Sequence, residues 1–378
     1  MQMSSMVCCG SIRAAFLLLS SFLFFSTTAM AQVTPAAGYV PPDDTPVIRV
    51  GATIFADYTY QTDPKQTDVD GNSFSPSSFD VKRAYINVTG NISHLLAFRI
   101  TPDIVRQSGL VSLATGNSVT SDSLVYRLKY AYAQVNIDDW MTKGSWVRLG
   151  MQQTPWVDFE EQIYRYRFQG PIFTDRETYL SSSDVGVAFH TNFPKNFGDV
   201  MVGIYNGETY SRPEANDQKA FQIRGTLRPL PMSALLRGLR FSGFYDADHF
   251  VKNGERERFL VSPTFEHQYL NAAFQWVETT DQISAVTGTK VEGEGWSFWA
   301  TPRTTKGFEG LIRFDHLEPD DTTDRKRDRA IYGIAYWLPH QGTVSAAFLL
   351  DYEQVKNTNF AVPVPRQERI VLHALVNF

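Results

Sequence analysis

Charged residues in this chain recur at alternate positions of otherwise apolar segments. Arg99 stands between Phe98 and Ile100, and Arg148 between Val147 and Leu149. Arg83 and Arg224 hold the same parity in their own segments. A second set lies in the polar stretch 156–181: Asp158, Glu160, Glu161, Arg165, Arg167 and Arg176. Fixed charges of opposite sign across a narrow water-filled gap make a transverse field, which orients dipolar solutes and sorts ions by charge. The expected arrangement sets Asp158, Glu160 and Glu161 against Arg83, Arg99 and Arg148. Guanidinium forks also match phosphate and carboxylate, so Arg165, Arg167 and Arg176 read alternatively as an anion site. A third reading pairs each arginine with a neighbouring acid.

No covalent chemistry is encoded in a recognisable motif. There is no G-x-S-x-G elbow, H-E-x-x-H pair, Walker loop or Gly-rich dinucleotide fingerprint. Histidines 94, 190, 249, 267, 316, 340 and 373 are scattered, with no pair at metal-ligand spacing. Asp320, Asp321 and Asp324 read as a solvated acidic loop, with a surface cation site as the other reading. The expectation is a non-enzyme without catalytic residues, metal or cofactor. A hydrolase assembled from distant segments stays open.

What must position these charges is a set of strands. Val50, Ala52, Ile54, Ala56, Tyr58 and Tyr60 alternate with Gly51, Thr53, Phe55, Asp57 and Thr59. Phe221, Ile223, Gly225 and Leu227 alternate with Gln222, Arg224 and Thr226. Sixteen period-two segments run from 47–60 to 367–378, several of 11 or 12 residues. Tilted strands need roughly 9–11 residues to cross a bilayer. Long polar connections, among them 61–78, 105–122 and 156–181, alternate with brief ones such as 92–93, 194–197 and 230–237. Together these predict an all-β fold: a transmembrane antiparallel β-barrel of about 16 strands, with short periplasmic turns and long outer loops.

Closure satisfies every backbone N–H and C=O within lipid, and alternation turns apolar side chains to hydrocarbon and polar ones to the lumen. On that parity Arg49, Arg228, Arg240 and Arg313 join the lumen arginines. Asp57, Asp103, Asp246, Asp248, Glu309, Asp315 and Asp351 face them. The alternation also explains a mean hydropathy of −0.24 in a membrane protein, where helical spans would make it positive. Tyr58, Tyr60, Trp140, Trp146, Trp156, Tyr336 and Trp337 fall near segment ends and suit a lipid–water boundary. With 35 basic and 40 acidic residues the net charge is −5, which disfavours nucleic acid as a partner. Aromatics at 13% exclude a disordered chain.

Arg13, an apolar run over 14–25 and Ala29-Met30-Ala31 form the pattern of a cleaved signal peptide over 1–31. Both cysteines, Cys8 and Cys9, lie inside it, so the exported chain has no disulfide. A Pro-rich linker covers 32–46, and the barrel 47–378 carries an inward-folded loop near 156–181.

The terminal segment places Ile370, Leu372, Ala374, Val376 and the last residue, Phe378, on one face. It resembles the closing strand that the barrel-assembly machinery reads in bacterial outer-membrane proteins. Phe79–Gly90, Val147–Trp156, Ser183–His190 and Val202–Glu208, in that order, are similar to strands of the phosphate-selective porin O and P family. The resemblance implies a 16-stranded homotrimeric porin in the bacterial outer membrane, set in lipid, with its third long loop folded inward. Its function would be passive diffusion of small hydrophilic solutes, among them anions such as phosphate. The loop departs from that family in holding Asp158, Glu160, Glu161, Asp175 and Glu177 and no lysine, so a general or weakly selective pore fits the residues better. The alternatives are a non-conducting barrel acting as adhesin or structural partner, an outer-membrane hydrolase, or a soluble secreted β-protein.

Overall fold

The structure, a computed structural model, describes residues 44–112, 118–214, 216–339 and 344–378. The expected signal peptide and most of the linker lie outside them. Among the described residues, sixteen strands form one closed antiparallel barrel. The strands are β1 (Val47–Asp63), β4 (Ser77–Asn91), β5 (Leu96–Ser112), β6 (Ser118–Asn136), β7 (Trp146–Gln153), β8 (Ser183–Asn192), β9 (Gly198–Tyr205) and β10 (Ala220–Leu227). They continue with β11 (Leu239–Val251), β12 (Gly254–His267), β13 (Leu270–Asp281), β14 (Val291–Pro302), β15 (Phe308–Glu318), β16 (Lys326–Trp337), β17 (Ser345–Thr358) and β18 (Gln367–Asn377). The short β2 (Gln66–Thr67) and β3 (Ser73–Phe74) make a separate hairpin in the loop after β1.

Each barrel strand pairs with its neighbours in sequence, and β18 returns to β1. Closure runs from Thr53 opposite Asn377 to Tyr60 opposite Ile370. It is finished by Ala52 and Phe378, which exchange backbone bonds of 2.9 Å and 3.0 Å. Gly51 sits at this joint because a Cβ there would lie 2.5 Å from the Phe378 carbonyl oxygen. Ile370, Leu372, Val376 and Phe378 are exposed on the outer face, while Val371, His373, Leu375 and Asn377 are buried inside.

Three features depart from the period-two reading. The stretch 105–122, expected as a loop, instead contributes to β5 and β6, which stay paired to Ser112 and Ser118. The outer connection between β11 and β12 is only the tight turn at Lys252-Asn253, with Asn253 at φ 63°. On the opposite rim the β10–β11 link, 228–238, is one of the long ones. Loop length therefore does not sort cleanly by side.

The interior also differs from a uniformly polar wall. Inward-facing Phe244, Leu260, Val277, Trp299, Leu311 and Ile331 are buried and join the loop between β7 and β8 in one apolar core. Trp156 and Trp337, expected at the lipid boundary, lie in this core instead: Trp337 by its inward strand parity, Trp156 because it sits on the helix that the β7–β8 loop folds into the barrel.

Candidate functional site

The β7–β8 loop builds the interior. Thr154 and Pro155 open a helix over Pro155–Ile163; the proline needs no N–H at the first turn. The Thr154 hydroxyl donates to the Ser181 carbonyl and ties the two ends of the loop together. Trp156, Tyr164, Tyr166 and Phe173 are completely buried, each burial being worth about 1.5–3 kcal/mol. Tyr164 packs on Trp299 with centroids 5.1 Å apart, and Tyr166 on Trp337 at 5.9 Å.

Charge pairs then clamp the loop to one side of the wall. Arg165 Nη1 lies 2.8 Å from Glu309 Oε1, and the Tyr166 hydroxyl donates to Glu309 Oε2 at 2.9 Å. The Arg165 guanidinium also lies 3.8 Å from the Trp337 ring centroid. Glu353 on β17 is a hub: Arg176 reaches it at 3.3 Å, Arg369 Nη2 at 2.6 Å, and Arg329 bonds to it as well. Arg313 donates to the Pro171 carbonyl at 2.9 Å while holding Asp315 at 2.8 Å. Arg167 is paired inside the loop, to Glu161 at 2.5 Å and Asp175 at 3.2 Å. Arg165, Arg167 and Arg176 are thus each committed to carboxylates, and each is nearly buried.

The opposite side of the wall is different. Arg83 pairs with Asp103 at 2.8 Å. Arg99, Arg127, Lys129 and Arg148 have no carboxylate oxygen within 4.0 Å among the described residues. Arg99 donates to Thr101 at 2.9 Å and Asn87 at 2.9 Å, and its guanidinium lies 4.5 Å from the Tyr130 centroid. Arg148 donates to Gln134 at 2.8 Å and stacks over Trp146 at 3.7 Å. The Lys129 ammonium touches the Tyr85 hydroxyl at 3.3 Å and lies over the Tyr85 and Tyr130 rings at 4.9 Å and 5.3 Å. Arg127 donates to the Tyr210 hydroxyl at 2.5 Å. Amides, hydroxyls and ring faces are the direct partners of these cations; Arg99, Lys129 and Arg148 are as buried as the loop arginines, and Lys129 is also drawn by the Glu161 charge.

The three loop acids separate. Glu161 lies on the side of the basic wall: burial would raise its carboxyl, but Arg167, Lys129 and Arg83 together hold it below the ordinary range. Glu160 points into the apolar core. It accepts from Trp156 Nε1 at 3.1 Å, and the Gln275 amide, turned with its nitrogen toward the carboxylate, lies 3.0 Å and 3.2 Å from its oxygens. Burial pushes the Glu160 carboxyl up to about 7 against the pull of Arg313. Asp158 accepts from Gln162 at 3.2 Å. Arg224 bonds to Asp199 and sits 4.9 Å from the Phe159 centroid. The structure therefore brings Glu161 toward Arg83, and not Glu160.

Lys129, Arg127 and Glu353 were absent from the sequence-derived site. Glu353 shares the parity of Asp351 and was legible. Lys129 was not: it is the extra residue where the β5–β6 register shifts, between Leu128 opposite Pro102 and Tyr130 opposite Thr101. A bulge turns two consecutive residues inward, and alternation cannot foresee it.

No family model matches the sequence, and no curated relative does. Solved structures do resemble the fold. An anion-selective porin from Comamonas acidovorans superposes with TM-score 0.61 at 10% identity, covering 88% of this chain and 100% of that one. OmpF of Salmonella typhi, in complex with daunomycin, gives TM-score 0.58 at 9% identity over 90% of this chain and 100% of its own. The outer-membrane channel DcaP of Acinetobacter baumannii gives 0.57 at 13% identity over 91% and 100%. At such identities the likeness is one of fold: this chain has the closed sixteen-stranded barrel of porins.

Proposed function

We propose that this protein is a bacterial outer-membrane channel through which small hydrophilic solutes diffuse passively, with anions favoured. The observation that carries the reading is the asymmetry of the interior. One side of the wall is covered by a clamped loop whose arginines are paired with carboxylates. The other holds Arg99, Lys129 and Arg148, themselves buried among wall side chains, with no carboxylate oxygen within 4.0 Å among the described residues. A wall richer in cations than in carboxylates raises the local concentration of anions and lowers that of cations, even where the charges lie beneath other side chains. The outer face supports the location in lipid: Leu149, Val187, Ile204, Phe274, Phe348 and Leu350 are exposed large apolar residues, costly to leave in water.

The same reading makes 1–31 a removed signal peptide, 32–46 a linker, and β18 the strand engaged by the assembly machinery. It makes the working form a homotrimer in outer-membrane lipid, and it assigns no enzymatic activity. Phosphate is one candidate among small anions.

The test is planar-bilayer recording of the purified, refolded protein. Stepwise conductance is expected, with a reversal potential of anion-selective sign in a potassium chloride gradient and a further change on adding phosphate. Folded protein that never conducts would overturn the channel and favour an adhesin or structural barrel. A cation-selective reversal potential would overturn the preference for anions.

A further inference from the structure

One apolar surface is explained neither by the lumen nor by the strands. The β10–β11 link, 228–238, reads Arg-Pro-Leu-Pro-Met-Ser-Ala-Leu-Leu-Arg-Gly. Leu230, Met232 and Leu235 are 44%, 76% and 61% exposed. The segment is an ordered turn. Ser233 N donates to the Leu230 carbonyl at 3.1 Å, and Arg237 N to the Ser233 carbonyl at 3.1 Å. The Ser233 hydroxyl accepts from Leu236 N at 3.1 Å. These bonds fix the turn, and Leu230, Met232 and Leu235 are left on its surface.

Two neighbours say what this surface meets. It continues the outer face of the barrel: Leu227 and Phe241, directly opposite each other at the base of β10 and β11, are both exposed outward. It is also bordered by cations. Arg228 N donates to the Phe197 carbonyl at 2.7 Å, which ties the link to the adjoining turn that carries Lys195. Lys195 and Arg237 are exposed and have no ionic partner among the described residues. The turn lies at the same end of the barrel as Phe378, the end the membrane reading assigns to the periplasm.

We infer that the turn 228–238 is an interfacial anchor: Leu230, Met232 and Leu235 insert among the acyl chains of the periplasmic leaflet, and Lys195 and Arg237 meet phospholipid phosphates. Apolar side chains flanked by basic ones are the composition that seats a segment at the headgroup boundary. Removing this area from water supplies the driving force, and the anchor fixes the height of the barrel at this point of its periplasmic rim. The inference rests on the membrane reading above.

The experiment uses the full chain carrying Cys8→Ser and Cys9→Ser, refolded into vesicles of phosphatidylcholine and phosphatidylglycerol. Nitroxide labels are placed singly at Met232→Cys and Leu235→Cys, with Phe348→Cys as the outer-face reference and Lys306→Cys as the reference on another turn of the same rim. Collision with oxygen and with a nickel chelate is read by EPR. The two turn labels are expected to favour oxygen, as at position 348, while position 306 favours nickel. Adding Lys195→Ser and Arg237→Ser is expected to shift the 235 label toward nickel. Nickel access at 232 and 235, with 348 still apolar, overturns the anchor and leaves the membrane reading standing. Nickel access at 348 as well overturns both. Spin–spin broadening at 235 that unlabelled protein dilutes away would assign the surface to a second copy and overturn the lipid assignment.

Discussion

Arg83 on β4 and Asp103 on β5 meet at 2.8 Å, across two strands whose backbone pairing ends lower down, at Val88 opposite Ile100. Above that point side chains take the place of the ladder. Asn87 accepts from Thr101 at 3.0 Å and from Arg99 at 2.9 Å, and Arg106 reaches Asp80 at 2.5 Å. Pro102, with no N–H to offer, marks the register shift in β5. Arg83→Ala should strip the buried Asp103 of its partner and cost about 1–3 kcal/mol. The check is amide exchange: faster exchange is expected over 101–106 and 77–87, with β13–β16 unaffected.

Lys129 separates a cationic lumen from a merely charged one. Lys129→Gln keeps polarity and most of the length and removes one positive charge that has no direct carboxylate partner. The reversal potential in a salt gradient should move toward cations while the melting temperature holds. An unchanged reversal potential would place the ion path elsewhere.

The Glu353 hub makes an opposite prediction. Glu353→Gln would leave Arg176, Arg329 and Arg369 confronting one another without their shared carboxylate. Breaking such a buried cluster typically costs about 3–5 kcal/mol. Lower thermal stability and noisier single-channel current are expected, because Arg176 is a main fastening of the loop.

Glu160 gives a dependence on pH. Its carboxyl is raised from 4.5 to about 7 in the folded protein, chiefly by burial. Between those values the folded chain keeps a proton that the unfolded chain has lost. The stabilisation is therefore complete below the lower value and is lost as pH rises through the upper one. Melting temperature in detergent should fall from pH about 5 to about 8, and Glu160→Gln should flatten that slope.

Gly51→Val tests closure. The added Cβ would meet the Phe378 carbonyl at 2.5 Å, and no side chain can yield because the obstacle is backbone. The β1–β18 joint should open, seen as loss of the heat-resistant compact band in gel electrophoresis. The same substitution at Gly225, where a Cβ meets nothing within 4 Å, should be tolerated.

The sequence by itself determined the barrel. Alternation is a property of neighbouring residues, and lining up Val50, Ala52 and Ile54 against Thr53, Phe55 and Asp57 is enough to mark two faces. Sixteen such segments and a terminal apolar face leave few ways to bury the edges. Tertiary structure decided which inward charges are free. Arg165 and Lys129 look equally available on paper; one bonds to Glu309, 144 residues away, and the other touches tyrosines and meets Glu161 only at longer range. Pairing across the lumen depends on where the loop lands, and that was set by Trp156, Tyr164 and Tyr166 packing against apolar wall residues; parity could turn Phe244 inward but could not say that the loop would cover it.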